Sequence, residues 1–448
     1  MRVSGLFGWR AALVAGASLT AVAIGGMSRG QTEASAAPPA GSWPASAPAR
    51  AVIATPPSSA SPVERGRYLA TLGDCAACHT APGGRPFAGG LALNTPFGVI
   101  YSTNITPDKD TGIGGWTAEQ FRRALQEGKD DQGQNLYPAM PYPYFSHVSA
   151  ADIEAIRAYL MTVPAVHQEA PANRLPFPLN IRFLVKGWNW LNFRPGAFQT
   201  VPGQSAVWNR GAYIVTTLGH CGACHTPKNA LGGDTREKPL QGGELDNWYA
   251  TNLNGDAHSG LGDWSEDDIA LYLRGGANGH AEVSASMREV VEVSTSKMSD
   301  ADLHTVAVYL KSLPETPEPT IAPPDPKIMR AGHAIYLDQC SACHAPDGSG
   351  VKGLFPPLRG NPGVQQARPT TGVHAILAGA QAAATPSKPS QPAMPAFAWK
   401  LTNDEVAAVS TYVGNSWGNR AKPVSPADVG KLRAHVAAHP VERKRGAV

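Results

Sequence analysis

The 448 residues predict a mainly α protein assembled from three tandem copies of one small helical unit. Three observations carry this. A short amphipathic segment runs into a C-x-x-C-H motif three times, at Val63 to His79, Trp208 to His225 and Met329 to His344. A second helical pattern closes each copy. It is introduced by Ser149-Ala150-Ala151-Asp152, Ser299-Asp300-Ala301-Asp302 and Thr402-Asn403-Asp404-Glu405. Proline and glycine, 40 and 47 residues, break the remainder into irregular connections.

The first 36 residues read as a secretory signal. Arg2 and Arg10 precede the uncharged apolar stretch Ala11 to Met27, and Ala34-Ser35-Ala36 offers a small-residue cleavage site. An uncleaved signal-anchor helix is the alternative, because the stretch approaches bilayer length. The destination is the periplasm, on the outer face of the cytoplasmic membrane. Residues 37–62 form an Ala/Pro/Ser linker. Units are expected at 63–170, 204–314 and 326–417.

Within each unit the opening segment carries Arg-Gly or Ala-Gly at nearly one offset: Arg65-Gly66, Arg210-Gly211 and Ala331-Gly332. The closing pattern is helical: Ile153, Ile156 and Leu160 correspond to Leu303, Val306 and Leu310, then to Val406, Val409 and Val413. Tyr159, Tyr309 and Tyr412 recur at one position. Its hydroxyl-x-x-acid start predicts a capping box, the acid reaching back to the cap amide. These stripes are expected to pack the core. The first two copies share an insert, Thr103-Asn104-Ile105 to Trp116 against Thr251-Asn252-Leu253 to Trp264. The third has Leu354-Phe355-Pro356-Pro357-Leu358-Arg359-Gly360 instead, and so is the more distant copy.

Two linkers differ in kind. Residues 315–325 belong to a proline-rich stiff spacer. Residues 171–203 contain Phe177, Phe183, Trp188, Trp190, Phe193 and Phe198, too many aromatics for a bare connection. They are expected to pack against the neighbouring units, the alternative being a docking surface for a partner subunit or the membrane interface. Residues 418–448 form a basic tail ending in Arg443-Lys444-Arg445, read as solvated or as docking on anionic phospholipid or a partner. The net charge of +3 gives no support to nucleic-acid binding.

All six cysteines fall in the three motifs: Cys75 and Cys78, Cys221 and Cys224, Cys340 and Cys343, followed by His79, His225 and His344. Residues i and i+3 share a helix face, so two thiols can each add to one haem vinyl group while the next residue offers an imidazole to the iron. Structural zinc would need four ligands, usually from two C-x-x-C pairs. A thioredoxin-like redox pair would need a βαβ context. The reading is three covalent haems c in three tandem class I cytochrome c domains.

The sixth ligand separates electron transfer from chemistry at an open iron, because His/Met ligation fills both axial sites and raises the potential. Met140 and Met394 each occur in Pro-Ala-Met-Pro, 61 residues after His79 and 50 after His344. In the second unit Met287 lies 62 residues after His225, whereas Met298 would require 73 and sits at the cap of the closing helix. Met287 is therefore preferred. His147, His220, His258, His280 and His374 are read as surface or capping residues.

Three strings make the chain resemble the triheme cytochrome c subunits of membrane-bound periplasmic dehydrogenases. They are Asn104-Ile105-Thr106-Pro107-Asp108, Leu136-Tyr137-Pro138-Ala139-Met140-Pro141-Tyr142 and Gly219-His220-Cys221-Gly222-Ala223-Cys224-His225-Thr226-Pro227. The likeness covers residues 62–417. It departs from the family pattern at Val283-Ser284-Ala285-Ser286, where a glycine is expected shortly before the ligand. The resemblance implies an electron-transfer subunit with no substrate site of its own. Its implied partners are a catalytic dehydrogenase subunit (quinoprotein, flavoprotein or molybdenum enzyme), ubiquinone and the cytoplasmic membrane surface. The alcohol dehydrogenase subunit ranks first, with aldehyde and gluconate or sugar dehydrogenases next. A free-standing periplasmic shuttle and a haem enzyme with an open iron are the alternatives.

Overall fold

A computed structural model describes residues 60–245, 247–316 and 320–438. The expected signal, most of the first linker, part of the proline-rich spacer and the last residues of the tail lie outside them.

The first group of elements comprises α1 (Pro62–Leu72), α2 (Cys75–Cys78), the hairpin β1 (Ala92–Thr95) and β2 (Gly98–Tyr101), α3 (Ala118–Glu127), α4 (Tyr142–Phe145) and α5 (Ala150–Leu160). A short helix α6 (Val185–Asn192) lies in the aromatic segment. The second group repeats the first: α7 (Ala206–Thr216), α8 (Gly222–His225), β3 (Gln241–Leu245), β4 (Trp248–Asn252), α9 (Glu266–Gly275), α10 (Ala285–Val293) and α11 (Asp300–Lys311). The third has α12 (Pro326–Gln339), α13 (Ser341–His344), α14 (Thr370–Ala378), the two-residue strands β5 (Ala380–Gln381) and β6 (Ala393–Met394), α15 (Asn403–Gly414) and α16 (Pro426–Ala438).

In each group the opening and closing helices cross at the recurrent glycine. A Cβ on Gly66 would lie 1.8 Å from the Ala155 carbonyl oxygen and 2.9 Å from Tyr159 Cβ. On Gly211 it would lie 1.9 Å from the Thr305 oxygen and 2.8 Å from Tyr309 Cβ, and on Gly332 2.2 Å from the Ala408 oxygen and 2.6 Å from Tyr412 Cβ. Only hydrogen fits there, so the glycine and the tyrosine recur together because they are one backbone contact. The expected apolar stripes form the core: Ile153, Ile156, Leu160, Leu303, Val306, Leu310, Val406 and Val409 are all buried.

The expected capping boxes close only at α15, where the Thr402 amide donates to Glu405 Oε2 at 2.8 Å. At α5 and α11 the serine accepts from the acid's amide, but the acid does not reach back. Asp152 instead pairs with Arg65 of its own group and accepts from the Tyr213 hydroxyl of the second group at 2.6 Å. Asp302 pairs with Arg210 at 2.8 Å and accepts from the Tyr68 hydroxyl of the first group at 2.6 Å. The vacated cap amides of Ser149 and Ser299 donate to those same tyrosine hydroxyls. The first two groups thus complete each other's helix caps. The third has Ala331 and Ala334 where they have arginine and tyrosine, and its acid stays local.

The basic tail is not a solvated end through residue 438. Helix α16 buries Val429 and Leu432 against Val373, Leu377 and Val406 of the third group. The aromatic segment divides. Phe193 and Phe198 are buried on Tyr142 and Tyr213, and Trp188 Nε1 donates to the Leu231 carbonyl at 2.8 Å. Phe177, Phe183 and Trp190 stay 70–80% exposed. No helix among the described residues is long and apolar enough to cross a membrane.

Candidate haem sites

Each cysteine pair lies at a four-residue helical turn that follows its opening helix, both residues within α2 but Cys221 and Cys340 as the N-caps of α8 and α13. None of the six thiols is in a disulfide. Burial pushes Cys75 and Cys221 up to about 12, and Cys78 and Cys340 up to about 11. Thiols so raised are protonated at neutral pH, which disfavours the thiolate that zinc or a redox pair requires.

The three histidines share one arrangement that the sequence reading missed. His79 Nδ1 donates to the Thr103 carbonyl at 2.7 Å, and His225 Nδ1 to the Thr251 carbonyl at 2.7 Å. His344 Nδ1 donates to the Pro356 carbonyl at 3.0 Å. Burial holds all three below the ordinary histidine range, the carbonyl bond partly opposing it. Each ring is therefore a neutral imidazole of fixed tautomer, its Nε2 lone pair left for a metal. The repeated Thr-Asn-Ile and Thr-Asn-Leu strings and the third copy's Phe-Pro-Pro were the available signal.

Met140 lies in the turn before α4, half-buried against the main core. Met394 lies in β6, paired with Ala380, so its proline-flanked segment is one side of a small hairpin. Met287 lies in the first turn of α10, against Val283, Val291 and Ala383. The residue opening that turn, Ala285, has φ +53°, a left-handed conformation that glycine adopts without strain. Met298 is 6% exposed in the main core, at the end of a 3₁₀ turn. Among the other histidines, His374 stacks on Trp248 at 3.8 Å and His280 on Trp264, both packing roles.

The sites are not isolated. Tyr144, four residues after Met140, donates to Asp234 and lies over the second attachment turn, where a Cβ on Gly222 would meet its hydroxyl at 2.7 Å. Asp74 caps α2 in a left-handed conformation, with one carboxylate oxygen buried and unpartnered. Burial first, then the nearby Glu289, pushes its carboxyl up to about 8, Lys297 opposing. Beyond α10, Glu292 accepts from the Ala384 amide and from Gln391, both between β5 and β6, and Lys388 of that loop pairs with Glu282. Helix α10 therefore contacts the first attachment turn as well as the hairpin that carries Met394.

The Cytochrome c family matches residues 63–164 and 329–417. The chain is 41% identical to the gluconate 2-dehydrogenase cytochrome c subunit of Pantoea cypripedii, over 83% of this chain and 89% of that one. It is 40% identical to the cytochrome c subunit of alcohol dehydrogenase (quinone) of Gluconobacter oxydans, over 83% and 82%. It is 36% identical to the fructose dehydrogenase cytochrome subunit of Gluconobacter japonicus, over 85% and 84%.

Proposed function

Since the chain belongs to the family of cytochrome c subunits of dehydrogenases, we propose that it relays electrons from a catalytic dehydrogenase subunit to ubiquinone through three covalently bound haems c, on the periplasmic side of the cytoplasmic membrane. Cysteines 75 and 78, 221 and 224, and 340 and 343 hold the haems. The axial pairs are His79 with Met140, His225 with Met287, and His344 with Met394. Bound haem supplies reversible one-electron chemistry. The residues' own part is to fix each imidazole by its carbonyl bond, and each methionine would supply a thioether as the second iron ligand.

The observation that carries this reading is the threefold recurrence of a disulfide-free C-x-x-C cysteine pair followed by a histidine whose Nδ1 is already engaged by a backbone carbonyl. Alcohol dehydrogenase is the first-ranked partner, aldehyde and gluconate or sugar dehydrogenases coming next. The exposed aromatic segment supports a fixed subunit over a diffusible shuttle.

Replacing Met140, Met287 or Met394 singly by alanine tests the axial set. Each variant should keep three covalent haems, lower one potential and open one iron to carbon monoxide. If Met287→Ala leaves all three potentials unchanged, Met298 or a histidine is the ligand in the second group.

A further inference from the structure

The connection between the first two groups leaves a surface that packing does not explain. Phe177, Phe183 and Trp190 are 80%, 70% and 78% exposed, and Leu179, Ile181, Leu184 and Leu191 are exposed beside them. The segment is held in place all the same. Arg236 donates to the Leu191 carbonyl, Asn229 to Asn192, and Tyr137 to the Leu179 carbonyl. It is thus a fixed apolar ridge on folded protein.

Its charge is one-sided. Not one Asp or Glu occurs between Glu169 and Asp234, while Arg174, Arg182, Lys186 and Arg194 all fall in the segment. Arg182 pairs with Asp130, and Arg194 donates only to the carbonyls of Trp190 and Phe193. Lys186 and Arg194 have no carboxylate partner among the described residues, and both are exposed.

We propose that this ridge, Phe177 to Arg194, is the face that lies on the membrane, its aromatic side chains entering the headgroup layer and Lys186 and Arg194 resting on anionic phospholipid. The proposal rests on the membrane-side reading above and names the surface that serves it. Protruding aromatic rings flanked by cations suit a soft, anionic, interfacial medium. Lysine is depleted at protein interfaces, whereas an anionic headgroup layer attracts it.

Flotation of the secreted, full-length holoprotein with vesicles tests it. Phosphatidylethanolamine/phosphatidylglycerol vesicles should carry the protein, and phosphatidylcholine vesicles roughly tenfold less. Phe177→Ser/Phe183→Ser/Trp190→Ser should lower flotation by about tenfold or more, with the haem count unchanged. Trp190→Ser alone should give part of that loss, and Lys186→Glu/Arg194→Glu should abolish the preference for anionic lipid. Undiminished flotation of the triple variant overturns the proposal. So does a triple variant that still floats but no longer co-purifies with the dehydrogenase subunit, which would assign the ridge to that partner. The intact complex carrying the three substitutions should reduce a water-soluble quinone at the wild-type rate, which separates failure of this face from failure of the electron-transfer reading.

Discussion

Asp74 is the side chain most at odds with its surroundings. Its carboxyl ionises near 8 in the folded protein against 3.8 unfolded, because burial and Glu289 oppose its charge. Below pH 4 both states hold the proton. As pH rises toward 8 only the unfolded chain releases it, so this group's contribution to stability falls across that window. Asp74→Asn should match the wild-type Tm near pH 4 and exceed it at pH 8.5, by roughly 2–4 °C for each kcal/mol relieved; parallel pH profiles would refute this. Gly222 answers to a different constraint. Gly222→Ala drives a methyl into the Tyr144 ring and should cost about 1–3 kcal/mol, read as a lower denaturant midpoint with the haem count unchanged.

The paired helices α1 with α5, α7 with α11 and α12 with α15 show what a sequence can and cannot say about an element. Their periodicity, their caps and the glycine–tyrosine recurrence were all legible, because helix faces and close crossings leave fixed intervals in a chain. The destination of Asp152 and Asp302 was not legible. A hydroxyl-x-x-acid string describes a local cap, and only the fold brings Tyr213 and Tyr68 within 2.6 Å to take the acid away. The basic tail misled for a similar reason: its charges are visible in the string, while Val429 and Leu432 acquire meaning only against α14 and α15. Gly211→Ala should be a severe change, since its Cβ meets unyielding backbone. It should unfold the second helix pair at lower denaturant by at least about 1–3 kcal/mol and lower haem incorporation at Cys221 and Cys224, both read on purified protein.

Across the whole chain, α10 joins the three groups. It carries Met287, touches the first attachment turn, and through Glu292 holds the hairpin of Met394. Lys388 and Glu282 pair beside it at 16% and 10% side-chain exposure, so Lys388→Ala leaves a carboxylate shut in without its partner. That should cost about 3–5 kcal/mol and make limited proteolysis in residues 315–325 release the third group more readily. The proposed attachment residues stand out in the string because covalent haem attachment demands an invariant spacing. The carbonyls of Thr103, Thr251 and Pro356, which orient the histidines, were hidden because a backbone oxygen has no letter of its own. The account stands first on there being three attached haems. Intact-mass measurement of the denatured, secreted protein tests this most directly. It should show the chain plus three haem masses, and one fewer after Cys75→Ala/Cys78→Ala, Cys221→Ala/Cys224→Ala or Cys340→Ala/Cys343→Ala; a wild-type mass with two haems or fewer would contradict it.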